Sequence, residues 1–308
     1  MPYGDLSRLG RISDTEFGWL DAPATVPAPF LRGSPLDRAD VLVIGDSFSM
    51  THRWQSVLVK DGLRVTTIYW GQIGETLCAD LGDWLERAGF RGKLVVIESV
   101  ERLLAERLAA TAKCVTMKRP FAARETPFLE PLDAVPGFSL NWGAKLTTGV
   151  ATWLNTRRAI KTPGATWADL NVRVRPVERG CELFSHRLCG KALFFGEDDD
   201  NGELSASHVQ AMQSFTTAHR GTPLLWMVVP NKTTVYLEPT HSKAFVDAFG
   251  PSGLGPDLFE FARVRRDRSK DFYFPNDTHL SMRGQLALGD LMLQEVRKIV
   301  PAATARTP

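Results

Sequence analysis

The sequence has no apolar run longer than about six residues, far below the ~20 needed to span a bilayer as a helix. It has no long basic block, and 37 basic residues stand against 35 acidic ones. The net charge of +2 therefore gives no electrostatic footprint for nucleic acid. Cysteine is scarce: Cys78, Cys114, Cys181 and Cys189 form no Cys-x-x-Cys pair, which argues against a zinc site. There is no internal repeat and no low-complexity tract. The acidic stretch "GEDDDNGE" (196–203) lacks the spaced ligands and twelfth-position glutamate of a calcium loop and reads as a solvated turn. No metal and no cofactor is expected.

What is present is an ordinary globular composition, 44% apolar and 23% charged, in a chain of 308 residues. Residues 1–37 are punctuated by Pro and Gly and are expected to wrap the surface as an N-terminal extension. The opening, "MPYGDLSRLGRISDTEFGWL", reads like the interior of something longer. An upstream anchor or export signal is therefore one expectation, with a periplasmic or other extracytoplasmic location. A cytoplasmic chain is the alternative. "CELFSHRLC" (181–189) is either a short disulfide loop in an oxidising compartment or two ordinary thiols. Cys78 reads as a small core residue on an amphipathic helix.

From Asp40 the pattern becomes regular. "VLVIG", "LRVTTIYW" and "KLVVIESV" read as buried strands, each followed by a helical pattern of 10–15 residues. Such alternation predicts βαβ units around a parallel sheet covered on both faces. Residues 115–190 break it, and "NVRVRPVE" suggests an insertion with β-hairpin character. "KALFF", a helix over 203–221 and the strand "PLLWMVVP" resume the alternation, "LFEFARVRRD" reads as strand-like, and "SMRGQLALGDLMLQEVRKIV" closes the domain. The expected fold class is α/β, a three-layer α/β/α sandwich with a mostly parallel central sheet. It spans about residues 38–300 with the insertion at about 115–190, and residues 301–308 form a frayed tail.

Functional groups in such sheets gather at the carboxyl ends of strands. Ser47 lies just past the first strand in "VLVIGDSFSM", on the turn into the first helix. Gly45 allows a tight bend, and the helix is expected to aim N–H groups and its positive end at the serine oxygen. The bland alternative is a helix cap at Asp46 or Ser47. "FPNDTHLSMRG" shifts the balance. Asp277 and His279 point the same way in an extended loop, with Ser281 free to cap the last helix. That loop should reach the same sheet edge as Ser47, which predicts a Ser-His-Asp constellation. His52 is expected to be an exposed helix histidine, and "SASH" (205–208) a helix start rather than a second Asp-x-His block. Glu98, Glu101 and Arg102 read as a Glu–Arg arrangement shaping a strand-to-helix turn, or as cleft residues.

The blocks "IGDSFS" and "DTHLS" resemble those of the SGNH (GDSL-type) hydrolase superfamily, whose fold is flavodoxin-like. Within it the chain is similar to the alginate O-acetyltransferase-like family, on "GDSFS", "VVIESVERLL", "VVPNKTTVY" and the Asp-x-His spacing. The likeness covers about residues 40–298, more weakly across 115–190. One departure is plain: here the Asp-x-His follows the serine block, whereas in the alginate enzymes it precedes it, so the identity of the polysaccharide does not carry over. The resemblance implies an O-acyltransferase, O-acetyl in the first instance, acting on an extracytoplasmic polysaccharide, with an acyl donor, a glycan acceptor and a membrane-bound acyl-donor protein as partners. The alternative is a carbohydrate or small-ester esterase using the same triad. A non-catalytic glycan-binding module is the reading from another class. The Ser47 N–H and Gly74, with Gly71 as alternative, are the expected oxyanion donors; no G-x-N-D block supplies a third. Lys232 and Tyr236 are expected either to bind the acceptor or to close a loop.

Overall fold

A computed structural model describes residues 4–130, 132–137 and 145–301. The expected frayed tail lies almost wholly outside the described residues. Four strands form a parallel sheet in the order β2-β1-β3-β7: β1 (Val41–Gly45), β2 (Val65–Tyr69), β3 (Leu94–Val100) and β7 (Leu224–Val229). Val43 pairs with Thr67 on one side and Val96 on the other, and Ile97 pairs with Trp226.

The strands are apolar on both faces because both faces are covered. Val41, Val43, Leu94 and Val96 pack with Trp54, which precedes the Gln55–Lys60 helix, with Leu58 within it, and with Leu288 and Met292 of the Met282–Ile299 helix. The alternate residues, Leu42, Ile44, Val95 and Ile97, pack with Leu81, Leu104, Val209 and Met212 from helices on the opposite side. The protein is thus α/β, with helices on both faces of a four-stranded parallel sheet, an arrangement compatible with three α/β/α layers. The winding reverses between β1 and β3, which places a crevice at their carboxyl ends.

The insertion carries a small antiparallel sheet, β4 (Thr166–Trp167), β5 (Val172–Pro176) and β6 (Lys191–Phe195). "KALFF" therefore belongs to this side sheet and not to the central one. The N-terminal segment does more than wrap the surface: Leu6, Ile12 and Phe17 are buried against Val172, Val174 and Leu193. "LFEFARVRRD" is a helix, Leu258–Arg266, not a strand. Its period-two look misleads, because Leu258 and Ala262 share a buried face four residues apart and Asp257 caps Phe259 and Glu260.

Both cysteine pairs are disulfides, Cys181–Cys189 and Cys78–Cys114. Cys78 is buried as expected, but it lies in the loop before the Leu81–Arg87 helix rather than on a helix, and its crosslink ties that loop to the one leaving the Glu101–Thr111 helix.

Candidate active site

The turn after β1 is held from beneath by two buried carboxyl groups. Asp46 accepts from the Phe48 and Val100 N–H groups and from the Arg107 guanidinium. Glu98 accepts from the Asp46 N–H at 2.7 Å and from Ser49 Oγ at 3.0 Å. Burial, and then the neighbouring Asp46 charge, push the Glu98 carboxyl well above its ordinary value. Gly45 serves close approach rather than an unusual backbone angle: a Cβ there would sit 2.5 Å from the Ser49 side chain and 2.8 Å from Glu98 Oε2. The helix that follows begins only at Gln55, so the turn, and not a helix end, presents Ser47. Among the described residues the Ser47 N–H has no hydrogen-bond acceptor.

The loop before the last helix meets this turn. Ser47 Oγ lies 2.7 Å from His279 Nε2, and His279 Nδ1 lies 2.6 Å from Asp277 Oδ1. The Asp277 carboxylate also accepts the His279 N–H at 2.9 Å, so one short loop fixes both ring and carboxylate. Phe48 packs against the imidazole, with centroids 4.9 Å apart. Ser281 caps the last helix at Gly284.

A second carboxylate at the histidine, missed in the sequence, comes from the N-terminal segment. The Asp5 N–H donates to Asp277 Oδ2 at 2.8 Å. The Asp5 carboxylate accepts from the Thr278 N–H and hydroxyl, and stands 3.6 Å from His279 Nδ1. Gly4 seats this segment on the loop: a Cβ there would lie 2.1 Å from the Asn276 carbonyl oxygen. The nearest signal in the sequence was the ordered look of "MPYGDLSRLG"; nothing local marks Asp5 as a partner of residues some 270 positions away.

The charges reinforce one another. Burial alone would push the His279 imidazolium down. The charge and hydrogen bond of Asp277, with Asp5 behind them, reverse this and hold it at about 9. Burial pushes the Asp277 carboxyl up, but the imidazolium and the N–H donors more than offset this, and it lies below its ordinary value. Asp5 is raised by burial and by the Asp277 charge. Asp5, Asp277 and His279 bring one potential ligand atom each within 4.8 Å of the others. Their carboxylate oxygens already face N–H and O–H donors, an environment that suits an imidazolium better than a metal cation.

These groups open onto a cleft of about 370 Å³ lined by Ser47, Thr51, Arg102, Phe195, His279 and Gln285, among others. Arg102 is anchored by Asp198 at 3.2 Å and lies over the Phe195 ring. "GEDDDNGE" is therefore not simply a solvated turn, since it forms a short helix whose Asp198 is buried. Glu101 sits away from the cleft and accepts from the Asn231 N–H, Thr234 and Ser242. A larger groove, about 680 Å³, runs past Trp84, Arg87, Arg119 and Phe121, but the serine and histidine do not line it.

Three expectations about the site change. Gly74 cannot serve as an oxyanion donor in this arrangement, because its N–H already donates to the Trp70 carbonyl and it faces Arg119, outside the Ser47 cleft; Gly71 does not line that cleft either. Lys232 and Tyr236 are buried and do not line the cleft. Lys232 is 1% exposed, and its ammonium donates to the carbonyls of Leu193, Phe274, Pro275 and Asp277. The Tyr236 hydroxyl accepts the Tyr273 N–H, and its ring stacks on Phe184. Of the two roles weighed for this pair, closing a loop is the one the geometry fits. His52 is not exposed: it is buried at φ 54° with Nδ1 on the Leu31 carbonyl. "SASH" is a helix start, with Ser205 and His208 forming a reciprocal cap.

No family model matches the chain, and no match is found among curated proteins or solved structures.

Proposed function

We propose that the protein is a serine acyl-transferring enzyme of the SGNH hydrolase kind, an O-acetyltransferase acting on an extracytoplasmic polysaccharide. One observation carries the catalytic part: the continuous hydrogen-bond chain Ser47–His279–Asp277 at a cleft. In its neutral form His279 accepts the Ser47 proton at Nε2 as Oγ bonds to the acyl carbon, and the imidazolium then gives that proton to the leaving alcohol. Asp277 holds the Nδ1–H tautomer. The Ser47 N–H is free to receive the developing oxyanion, and two cationic side chains, Arg8 and Arg102, line the same cleft. A glycan hydroxyl, deprotonated by His279, then takes the acyl group from Ser47.

Two disulfides suit an oxidising compartment. The preference for transfer rests on the resemblance of "GDSFS", "VVIESVERLL", "VVPNKTTVY" and Asp-x-His to the acyltransferase family. An esterase is the second reading, and the burial of Lys232 and Tyr236 favours it, because two groups that could have bound an acceptor hold a loop instead. Water stands at about 55 M, so transfer requires a positioned hydroxyl; effective molarities of ~10⁵ M are available to well-oriented groups. Incubation with an acetylated chromogenic ester and oligosaccharides of several types, with both acetate and acetyl-glycan measured, separates the two. Acetate as the only product with every acceptor would replace transferase by esterase.

A further inference from the structure

The helix Leu146–Lys161 is mounted the wrong way round for a domain helix. Its buried residues are Asn155, Thr156 and Ala159. Asn155 Nδ2 donates to the Gly10 carbonyl at 3.0 Å, and Thr156 Oγ1 accepts the Ser13 N–H at 3.0 Å. The face turned to solvent carries Leu146, Val150, Trp153, Leu154 and Ile160, and Trp153 is 56% exposed. At ~100° per residue these five, with Arg157 and Lys161, share an arc of about 120° opposite the buried three. A surface helix ordinarily turns its apolar stripe to the core, and a contiguous exposed stripe marks an interaction site.

Charge selects the occupant. Residues 145–161 contain Lys145, Arg157, Arg158 and Lys161 and no acidic residue. The Arg157 guanidinium lies 4.9 Å over the Trp153 ring, within the apolar stripe itself. Tryptophan, leucine and valine flanked by long-stemmed cations suit the boundary between acyl chains and anionic headgroups, where apolar parts enter and charged tips stay outside. We propose that this face docks on an anionic lipid bilayer, with the helix axis along the membrane plane. The same helix grips residues 10–13, whose segment carries Asp5 to His279, so docking seats the catalytic assembly beside the membrane. The assignment is independent of acyl transfer and stands whether the acceptor is a glycan or water.

The test is co-sedimentation of the full chain with phosphatidylcholine vesicles, with and without phosphatidylglycerol, at low and high ionic strength. Wild type is compared with Trp153→Ser/Leu154→Ser and Arg157→Glu/Arg158→Glu. Circular dichroism and melting should match wild type in both variants, since all four side chains are exposed. Wild type should bind the anionic vesicles alone and less at high salt, and each double variant should lower the partition coefficient at least about 10-fold. Three results overturn the proposal: folded wild type that ignores anionic vesicles at low salt; binding that neither variant weakens; or a solution dimer, seen by ultracentrifugation, that Trp153→Ser/Leu154→Ser dissociates while vesicles bind nothing. The last would make the face an interface between two copies.

Discussion

The main-chain N–H of Asp5 donates to Asp277 Oδ2 at 2.8 Å, across 272 positions of sequence. This contact delivers a second carboxylate to the histidine. Asp5→Asn should lower the apparent pKa of His279 by about one unit, because an opposite charge within ~4–6 Å is worth that much or more. The acid limb of kcat/KM should move down with it. A purely structural role would lower the rate at every pH and leave the limb where it was. A ¹⁵N titration of His279 in a Ser47→Ala background reads the same shift without any activity.

Activity should be low at neutral pH and climb about tenfold per pH unit toward 9, since the base is active only when neutral. Stability responds in the opposite sense. His279 has a folded pKa above its ordinary 6.5, so its contribution is complete below about 6.5 and is lost as pH rises through about 9. Lys232, held down to about 7 by burial, works the other way, gaining stability as pH rises above 7. Total stability is therefore a poor readout. The difference in unfolding free energy between wild type and His279→Gln isolates the histidine, and should fall by on the order of 2–3 kcal/mol from pH 6.5 to 9.

Lys232→Met should reduce acetate release and transfer alike and lower stability by about 2–4 kcal/mol, because four carbonyls lose the buried ammonium they share. A variant that lost transfer alone, with its melting temperature unchanged, would return Lys232 to the acceptor site.

Reduction should loosen two separate places. Cys78→Ser/Cys114→Ser closes no loop of 36 residues and should cost about 2–4 kcal/mol; the eight-residue Cys181–Cys189 loop should cost less. Denaturant unfolding of each double variant measures both.

The parallel sheet was legible because its strands are short apolar runs set between helical periods, and Ser47 and His279 were legible because strand ends and final loops share an edge. Other features were carried by contacts distant in sequence. Asp5 meets Asp277 only after the N-terminal segment packs on the side sheet. Lys232 looked like a cleft residue because it follows a strand on the active edge, yet its ammonium turns inward to four carbonyls. Gly74 follows β2, where an oxyanion donor is expected, but it ends a one-turn helix that takes its N–H. Cys78 is legible as buried, but neither its place in the loop before the helix nor its partner Cys114 has a local sign.

Losing the nucleophile in a serine enzyme costs on the order of 10⁶ in kcat, so the most direct measurement asks whether Ser47 is that nucleophile. The protein is treated with a serine-phosphonylating reagent and digested, and the labelled peptide is located by mass spectrometry. One label per chain should appear on Ser47, more quickly as pH approaches 9, and His279→Ala should slow it by orders of magnitude without unfolding the protein. Labelling elsewhere, no labelling, or labelling of Ser47 at the same rate in His279→Ala would contradict the catalytic assignment.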